Sequence, residues 1–295
     1  MRPHILPGAL LILMAAACIP HASGALPQRA ELVASVAMGG EIELVGAARQ
    51  GSVMLGHAPP GISMLQLDGH GVPVAPDGSF LIAFDRDAPL VATLVAVGQD
   101  GHEIRRSLSV APGDWQIENV NASITGGVTS AEFKQRRATE LQQIAAARAA
   151  MTPSSSEGWR QAFVWPVVAR ISGRFGAQRV YRGTPGSYHS GVDLAAAQGT
   201  TYVAPADGVV VLAATVPYTL EGNLLIIDHG MGLNSAFLHS QRLLVKEGDV
   251  VRRGQPIGIV GATGRATGPH LHWGMKWQDA RLDPTTMVGL DATDR

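Results

Sequence analysis

Short apolar runs separated by glycine turns recur through most of this chain and restrict it to a fold made of strands. Asp68-Gly69, Asp77-Gly78 and Asp100-Gly101 are turn signals that follow or precede such runs. The 35 glycines, 18 prolines and only 5% aromatic residues favour short strands and turns over long helices. The sequence therefore predicts a mainly β protein.

The first part of the chain, residues 25–125, is predicted to form a small β-sandwich-like domain. Repeated short strands at this spacing are typical of such domains. The glycine turns place these strands at 31–37, 41–47, 62–67, 80–84, 90–97 and 103–110. His57, His70 and His102 adjoin glycine turns without a ligand spacing, so we expect surface roles for them.

Residues 126–158 are predicted to be a helical linker. Ser130 is a suitable N-cap for a helix over 130–150, and the proline and serine run at 153–156 ends it. We expect the helix to act as a spacer, with covering of a site in the next domain as the alternative. Its apolar side is predicted to consist of Phe133, Leu141, Ile144 and Ala145.

Residues 159–295 return to strands and glycine turns, and no helix of any length is expected after Ala150. This region is predicted to be a mostly antiparallel, β-rich catalytic domain. An exposed loop is expected at 183–188, and strands are expected at 201–204, 208–213, 223–228, 235–239 and 256–260.

The first 24 residues have the features of a signal peptide. Arg2 precedes a short apolar run at 5–19, and small residues before Ala25 form a cleavage site. We expect export to the periplasm or cell envelope. Cys18 is the only cysteine, and lipid attachment through it is an alternative, although Ala15 replaces the usual upstream leucine. The net charge of -1 and pI near 6.8 argue against a nucleic-acid partner.

Five residues of the C-terminal region have the chemistry of a metal site. His189 and Asp193 lie four positions apart, and Gly191 between them is expected to let the backbone bend so that both converge. His270 and His272 are two apart, which puts both imidazoles on one face of a strand. Zinc accepts histidine nitrogen and carboxylate oxygen, and a catalytic site has three protein ligands and an open position. His239 lies between the two groups in sequence.

The flanking sequence resembles the lysostaphin/LytM-type peptidoglycan metalloendopeptidases over residues 165–284. The similarity is carried by an ordered series of motifs: YHSGVDL at 188–194, APADGVV at 204–210 and GATGRATGPHLH at 261–272. The resemblance implies a duplicated-hybrid-motif β fold, a Zn²⁺ cofactor and cleavage of peptide cross-links in the cell wall.

The resemblance also implies a role for each residue. It assigns the metal ligands to His189, Asp193 and His272, and catalysis to His239 and His270. His270 is the better candidate for general base and then acid, and His239 for the oxyanion donor, although the two can exchange roles. Tyr188, Arg265 and Thr267 are candidate substrate contacts. Phe237 and Ser240 depart from the usual tyrosine and leucine, and we expect them to tune substrate contacts.

Two other functions remain open. A catalytically silent cell-wall binding or activator protein could use the same fold, and so could a secreted metallopeptidase that acts on proteins. The N-terminal domain could bind the wall, dock a regulatory or membrane-anchoring partner, or cover the cleft.

Overall fold

The computed structural model describes residues 40–122, 130–150, 156–214 and 216–290. The predicted signal peptide, Cys18 and the predicted strand at 31–37 lie outside these residues. Within the described chain, no helix is both long and apolar enough to cross a membrane.

The N-terminal half consists of strands, as predicted. Three of them form one sheet in the order β1-β2-β5, and four form a second sheet in the order β4-β3-β6-β7. The strands at 53–57, 70–71 and 117–120 were not predicted. The strands are β1 Glu43–Val45, β2 Val53–His57, β3 Ile62–Leu67, β4 His70–Gly71, β5 Ser79–Ala83, β6 Val91–Gly98, β7 Glu103–Ser109 and β8 Ile117–Val120.

The helix α1 spans Ala131–Ala149, and Ser130 caps it by accepting a 3.0 Å hydrogen bond from the Phe133 backbone nitrogen. The predicted helix and its cap are therefore confirmed. The predicted apolar side is wrong in part, because Leu141 and Ala145 are exposed whereas Glu140 and Ala147 are buried. Burial of Glu140 is offset by hydrogen bonds, since the carboxylate accepts from the backbone nitrogen and the hydroxyl of Thr219.

The C-terminal half is also built from strands, and its helical content in the described chain is limited to 3₁₀ turns at Gly158–Arg160 and Pro284–Met287. The strands are β9 Ile171–Gly173, β10 Gln178–Tyr181, β11 Thr184–Tyr188, β12 Val192–Leu194, β13 Thr201–Val203, β14 Gly208–Ala213, β15 Asn223–Asp228, β16 Leu233–Ser240, β17 Arg242–Leu243, β18 Val250–Val251, β19 Pro256–Ile259, β20 Leu271–Trp277 and β21 Ala280–Leu282.

A large antiparallel sheet organises this half, in the order β18-β14-β15-β16-β20-β12-β9 with β21 beside β20. Alternate residues of β15 point to opposite faces. Leu225 and Ile227 enter the main core, and Leu224 and Ile226 pack in a second cluster with Ala147 of α1. Both faces of β15 are therefore covered, which explains its uninterrupted apolar run.

The two halves share one core and one small sheet. β8 pairs in parallel with β10, so a strand from the N-terminal half extends the hairpin formed by β10 and β11. Phe80 and Leu94 belong to the same hydrophobic cluster as Tyr202 and Trp273. The predicted exposed loop at 183–188 is wrong, because 184–188 form β11, which hydrogen-bonds to β10.

Candidate metal centre and active site

Two neighbouring strands of the large sheet bring a carboxylate and an imidazole together. β12 and β20 are antiparallel, and their register places Asp193 opposite His272. Directly opposed residues project from the same face of a sheet. Asp193 Oδ1 accordingly lies 2.9 Å from His272 Nδ1.

His189, which follows β11, joins this pair. Its Nε2 lies 3.1 Å from Asp193 Oδ1 and 3.0 Å from His272 Nδ1. The three side chains each offer a ligand atom, and these atoms all lie within 4.8 Å of one another. The structure thus brings together the three residues predicted to bind the metal.

The loop before β10 fixes the orientation of His189. The Arg174 carbonyl accepts a 3.0 Å hydrogen bond from His189 Nδ1, which leaves Nε2 of the neutral ring unprotonated and facing Asp193. The same loop holds the His189 main chain, since its nitrogen donates to Ala177 O and its carbonyl accepts from the Gly176 nitrogen, both at 2.8 Å. Such contacts orient metal-binding histidines in proteins.

The electrostatics of the cluster suit a divalent cation. Burial alone would raise the pKa of Asp193, but the adjacent rings of His189 and His272 outweigh it and hold that pKa well below its ordinary value. Burial lowers the pKa of His272, which favours its neutral form. An ionised carboxylate and two imidazole nitrogens that converge on one point are the donor set that zinc accepts. The residues therefore fit the ion.

Two glycines make this convergence possible by their lack of a side chain. A Cβ on Gly173 would lie 2.4 Å from Asp193 Oδ2. A Cβ on Gly191 would lie 2.5 Å from Trp273 O and 2.6 Å from His272 Nε2. The backbone bends at Gly191 as expected, and the close approach of β20 is a second reason for a glycine there.

His239 approaches the cluster from the end of β16. Its backbone is left-handed, with φ of 65°, and its Nδ1 hydrogen-bonds to Thr263 O at 2.9 Å. Burial lowers the pKa of His239 from 6.5 to about 4. The ring is therefore neutral at physiological pH, with its proton on Nδ1.

His270 lies beside it, with the two ring centres 4.8 Å apart. His270 Nδ1 hydrogen-bonds to Gly268 O at 2.8 Å, and its Nε2 lies 3.6 Å from Asp193 Oδ1. The two imidazoles predicted to be catalytic thus lie next to the candidate ligands.

A cleft of about 350 Å³ contains these groups, and it is also lined by Tyr188, Arg265 and Thr267. Arg265 and Thr267 are exposed on the loop before β20. The Tyr188 hydroxyl is 3.3 Å from an Nη1 atom of Arg281. The structure therefore brings all three predicted substrate contacts to one cleft.

Other residues near the site were not predicted. Arg86 in the N-terminal half lies 4.7 Å from the centre of the Tyr188 ring and donates to Gly176 O at 3.2 Å. Glu221 lines the cleft, and its carbonyl accepts from the His239 nitrogen at 2.8 Å. No sequence signal marks either residue, because these contacts depend on tertiary structure and on the backbone.

The two departures from the family pattern lie in the core, and the expectation that they tune substrate contacts is wrong. Phe237 is fully buried and stacks on Tyr202 with ring centres 5.5 Å apart. Ser240 is equally buried, and its Oγ lies 2.7 Å from the Tyr202 hydroxyl. His229 is also buried, where it bonds to Asp207 O and Ser235 Oγ, which suits a structural residue.

Comparison with known proteins agrees with the geometry. The sequence profile of peptidase family M23 matches residues 187–284. Peptidoglycan DD-endopeptidase ShyA of Vibrio cholerae is 44% identical over 105 residues, which are 35% of this chain and 24% of ShyA. DD-carboxypeptidase/endopeptidase Mpg of Neisseria meningitidis is 38% identical over 126 residues, which are 41% of this chain and 28% of Mpg. The matched region thus spans about a quarter of each relative.

A solved structure extends the likeness beyond this region. A candidate peptidase M23 from Pseudomonas aeruginosa superposes with a TM-score of 0.61 and 29% identity, and the match covers 82% of this chain and 95% of that one. Residues 187–284 of this chain therefore have the sequence of a peptidase family M23 domain.

Proposed function

We propose that the protein is a zinc-dependent endopeptidase that hydrolyses peptide cross-links of bacterial peptidoglycan. In this proposal His189, Asp193 and His272 hold the metal, and His239 and His270 are catalytic. The observation that carries it is the convergence of three ligand atoms within 4.8 Å in a cleft that holds two further imidazoles.

A zinc ion bound by the three ligands would polarise the scissile carbonyl and lower the pKa of water. His270 is suited to move protons. Its Nδ1 donates to Gly268 O, and its other ring nitrogen, Nε2, faces Asp193 at the candidate metal site. It takes a proton from the attacking water and then gives it to the leaving amine.

The neutral ring of His239 carries its proton on the same nitrogen as His270, since its Nδ1 donates to Thr263 O. Its Nε2 therefore begins as a proton acceptor, and it becomes an oxyanion donor only after it takes up a proton. This arrangement favours a shared role, in which either imidazole can serve as base and the protonated one donates.

The substrate is proposed from the relatives. ShyA is named a peptidoglycan DD-endopeptidase and Mpg a DD-carboxypeptidase/endopeptidase, and both align with the domain that contains the candidate site. Peptidoglycan lies outside the cytoplasm, which fits the signal peptide predicted from residues 1–24. We therefore place the protein in the periplasm or cell envelope.

The test is digestion of intact peptidoglycan by protein that begins at Ala25, with and without a chelator, and with products identified by mass spectrometry. The expected result is loss of cross-linked dimers with the glycan strands intact, and restoration by zinc after chelation. Casein serves as the comparison substrate, since cleavage of casein alone would favour a protein-directed peptidase.

Bound zinc is measured on the same sample. Protein that binds zinc but cleaves neither substrate would contradict the enzymatic proposal. Protein that does not bind zinc and does not cleave either substrate would favour the cell-wall binding or activator function.

A further inference from the structure

A second cavity adjoins the metal cleft beneath α1. It has a volume of about 260 Å³, and its lining includes Ile144 of α1 and Gly274 of β20. Ser190, Glu221, Leu238 and His272 line both this cavity and the metal cleft. A substrate in the cleft could therefore place a side group under the helix.

The charges around this cavity are unbalanced. Four of the side chains that line it are cationic and one, Glu221, is a carboxylate; the cations are Arg137, Arg148, Lys276 and Arg281. Two of them pair with carboxylates outside the lining, Arg137 with Glu140 and Lys276 with Asp279. Glu221 is also already engaged, because its two oxygens accept from the Arg137 guanidinium at 2.6 and 2.7 Å.

Arg148 is the lining cation for which the described residues offer no hydrogen-bonded partner. Its Nε is buried and has no hydrogen-bond partner in the described chain. Burial, and after it the charge of Arg281, lowers the pKa of Arg148. A largely buried guanidinium that makes no ion pair is costly, and an anion in the cavity would relieve both the lost hydration and the repulsion between the two arginines.

We propose that this cavity binds a carboxylate of the substrate peptide, with Arg148 as its main partner. A guanidinium binds carboxylates with two parallel hydrogen bonds, which makes it selective for this group over an uncharged amide. Since His272 borders the cavity, the carboxylate would lie close to the scissile bond. The inference rests on the proposed function and narrows its substrate to peptides with a free carboxylate at that position.

The test compares two forms of one ligand, a peptidoglycan monomer with its peptide carboxylates either free or amidated, by calorimetry on the zinc-loaded protein. The monomer has no cross-link to cleave, so binding is measured without turnover. Wild-type protein is expected to prefer the free form by about tenfold or more. Arg148→Gln should bring the two affinities within about twofold, and Arg148→Lys should retain part of the preference.

Arg252→Gln is the matched control, because Arg252 is exposed, lines neither cavity and loses the same charge. Equal binding of both forms by wild-type protein would overturn the proposal, and so would an equal loss of preference in Arg148→Gln and Arg252→Gln. Binding of inorganic phosphate without preference between the monomers would indicate a site for free anions and would also overturn it.

Failure of the proposed function has a different signature. Protein that prefers the free carboxylate but does not cleave cross-linked dimers supports the cavity site and contradicts the peptidase. Cleavage of dimers at rates that do not depend on their carboxylates supports the peptidase and contradicts the cavity site.

Discussion

The Arg86 guanidinium lies over the Tyr188 ring at 4.7 Å, so a side chain from the N-terminal half holds the residue that precedes candidate ligand His189. Arg86 also donates to Gly176 O at 3.2 Å and to Gln178 Oε1 at 2.9 Å. Gly176 belongs to the loop before β10, and this loop hydrogen-bonds to the backbone and the ring of His189. The N-terminal half therefore supports the geometry of the metal site.

Replacement of Arg86 is expected to weaken zinc binding although Arg86 is not a ligand. Arg86→Met removes the contacts to Gly176 and Gln178 and frees the loop that orients His189. Loss of such supporting contacts usually costs about 10–100-fold in metal affinity. Competition with a chromogenic chelator would measure the change, and Arg86→Lys should recover part of it.

The control for this variant is Arg105→Met, because Arg105 is exposed and pairs only with Glu103 in the described chain. Zinc affinity within twofold of wild type in both variants would contradict the supporting role of Arg86.

Much of this fold could be predicted from local sequence. The turns at Asp68-Gly69 and Asp100-Gly101 and the cap at Ser130 depend on a few neighbouring residues, and the structure has them as expected. The placement of His270 beside His272 also followed from strand periodicity. What could not be predicted depends on distant segments: β11 needs β10 as its partner, and β8 joins them from another part of the chain.

The candidate site also combines residues that could be predicted from the sequence with contacts that could not. Its five metal-binding and catalytic residues have side chains whose chemistry is visible in the sequence. The Arg174 carbonyl and the unpaired Arg148 carry no such signal, because a backbone oxygen is the same in every residue and burial depends on α1 packing against the sheet.

Gly173→Ala is expected to weaken zinc binding with little effect on folding. The added methyl group would lie 2.4 Å from Asp193 Oδ2, so the carboxylate has to rotate away from the two histidines. Zinc affinity, measured by chelator competition, should fall by about tenfold or more. Gly71→Ala is the control, since a Cβ there meets nothing within 4 Å. An equal affinity in both variants would show that the site tolerates the displacement.

Zinc content of the variants should distinguish the two catalytic candidates from the candidate metal ligands. His239→Ala and His270→Ala are expected to retain zinc and to lose turnover by about 10²–10⁴-fold, the usual contribution of a general acid or base. Asp193→Asn and His272→Ala should lose zinc as well. Metal analysis and dimer cleavage on the same preparations would test both. Near wild-type cleavage by zinc-loaded His270→Ala would show that the assignment is wrong.

Mild acid is expected to destabilise the protein through His229, away from the candidate site. Burial lowers the pKa of His229 from 6.5 to about 4, so between these values the unfolded chain binds a proton that the folded chain does not. The free energy of unfolding should therefore fall as pH drops from 6.5 toward 4, by up to about 3 kcal/mol from this residue.

His229→Gln removes the titrating group and offers an amide that can still donate to Asp207 O. Urea unfolding at several pH values should give a shallower fall for this variant than for wild type or for His102→Gln, whose histidine is exposed. The same fall in all three proteins would exclude His229 as a source of the acid sensitivity.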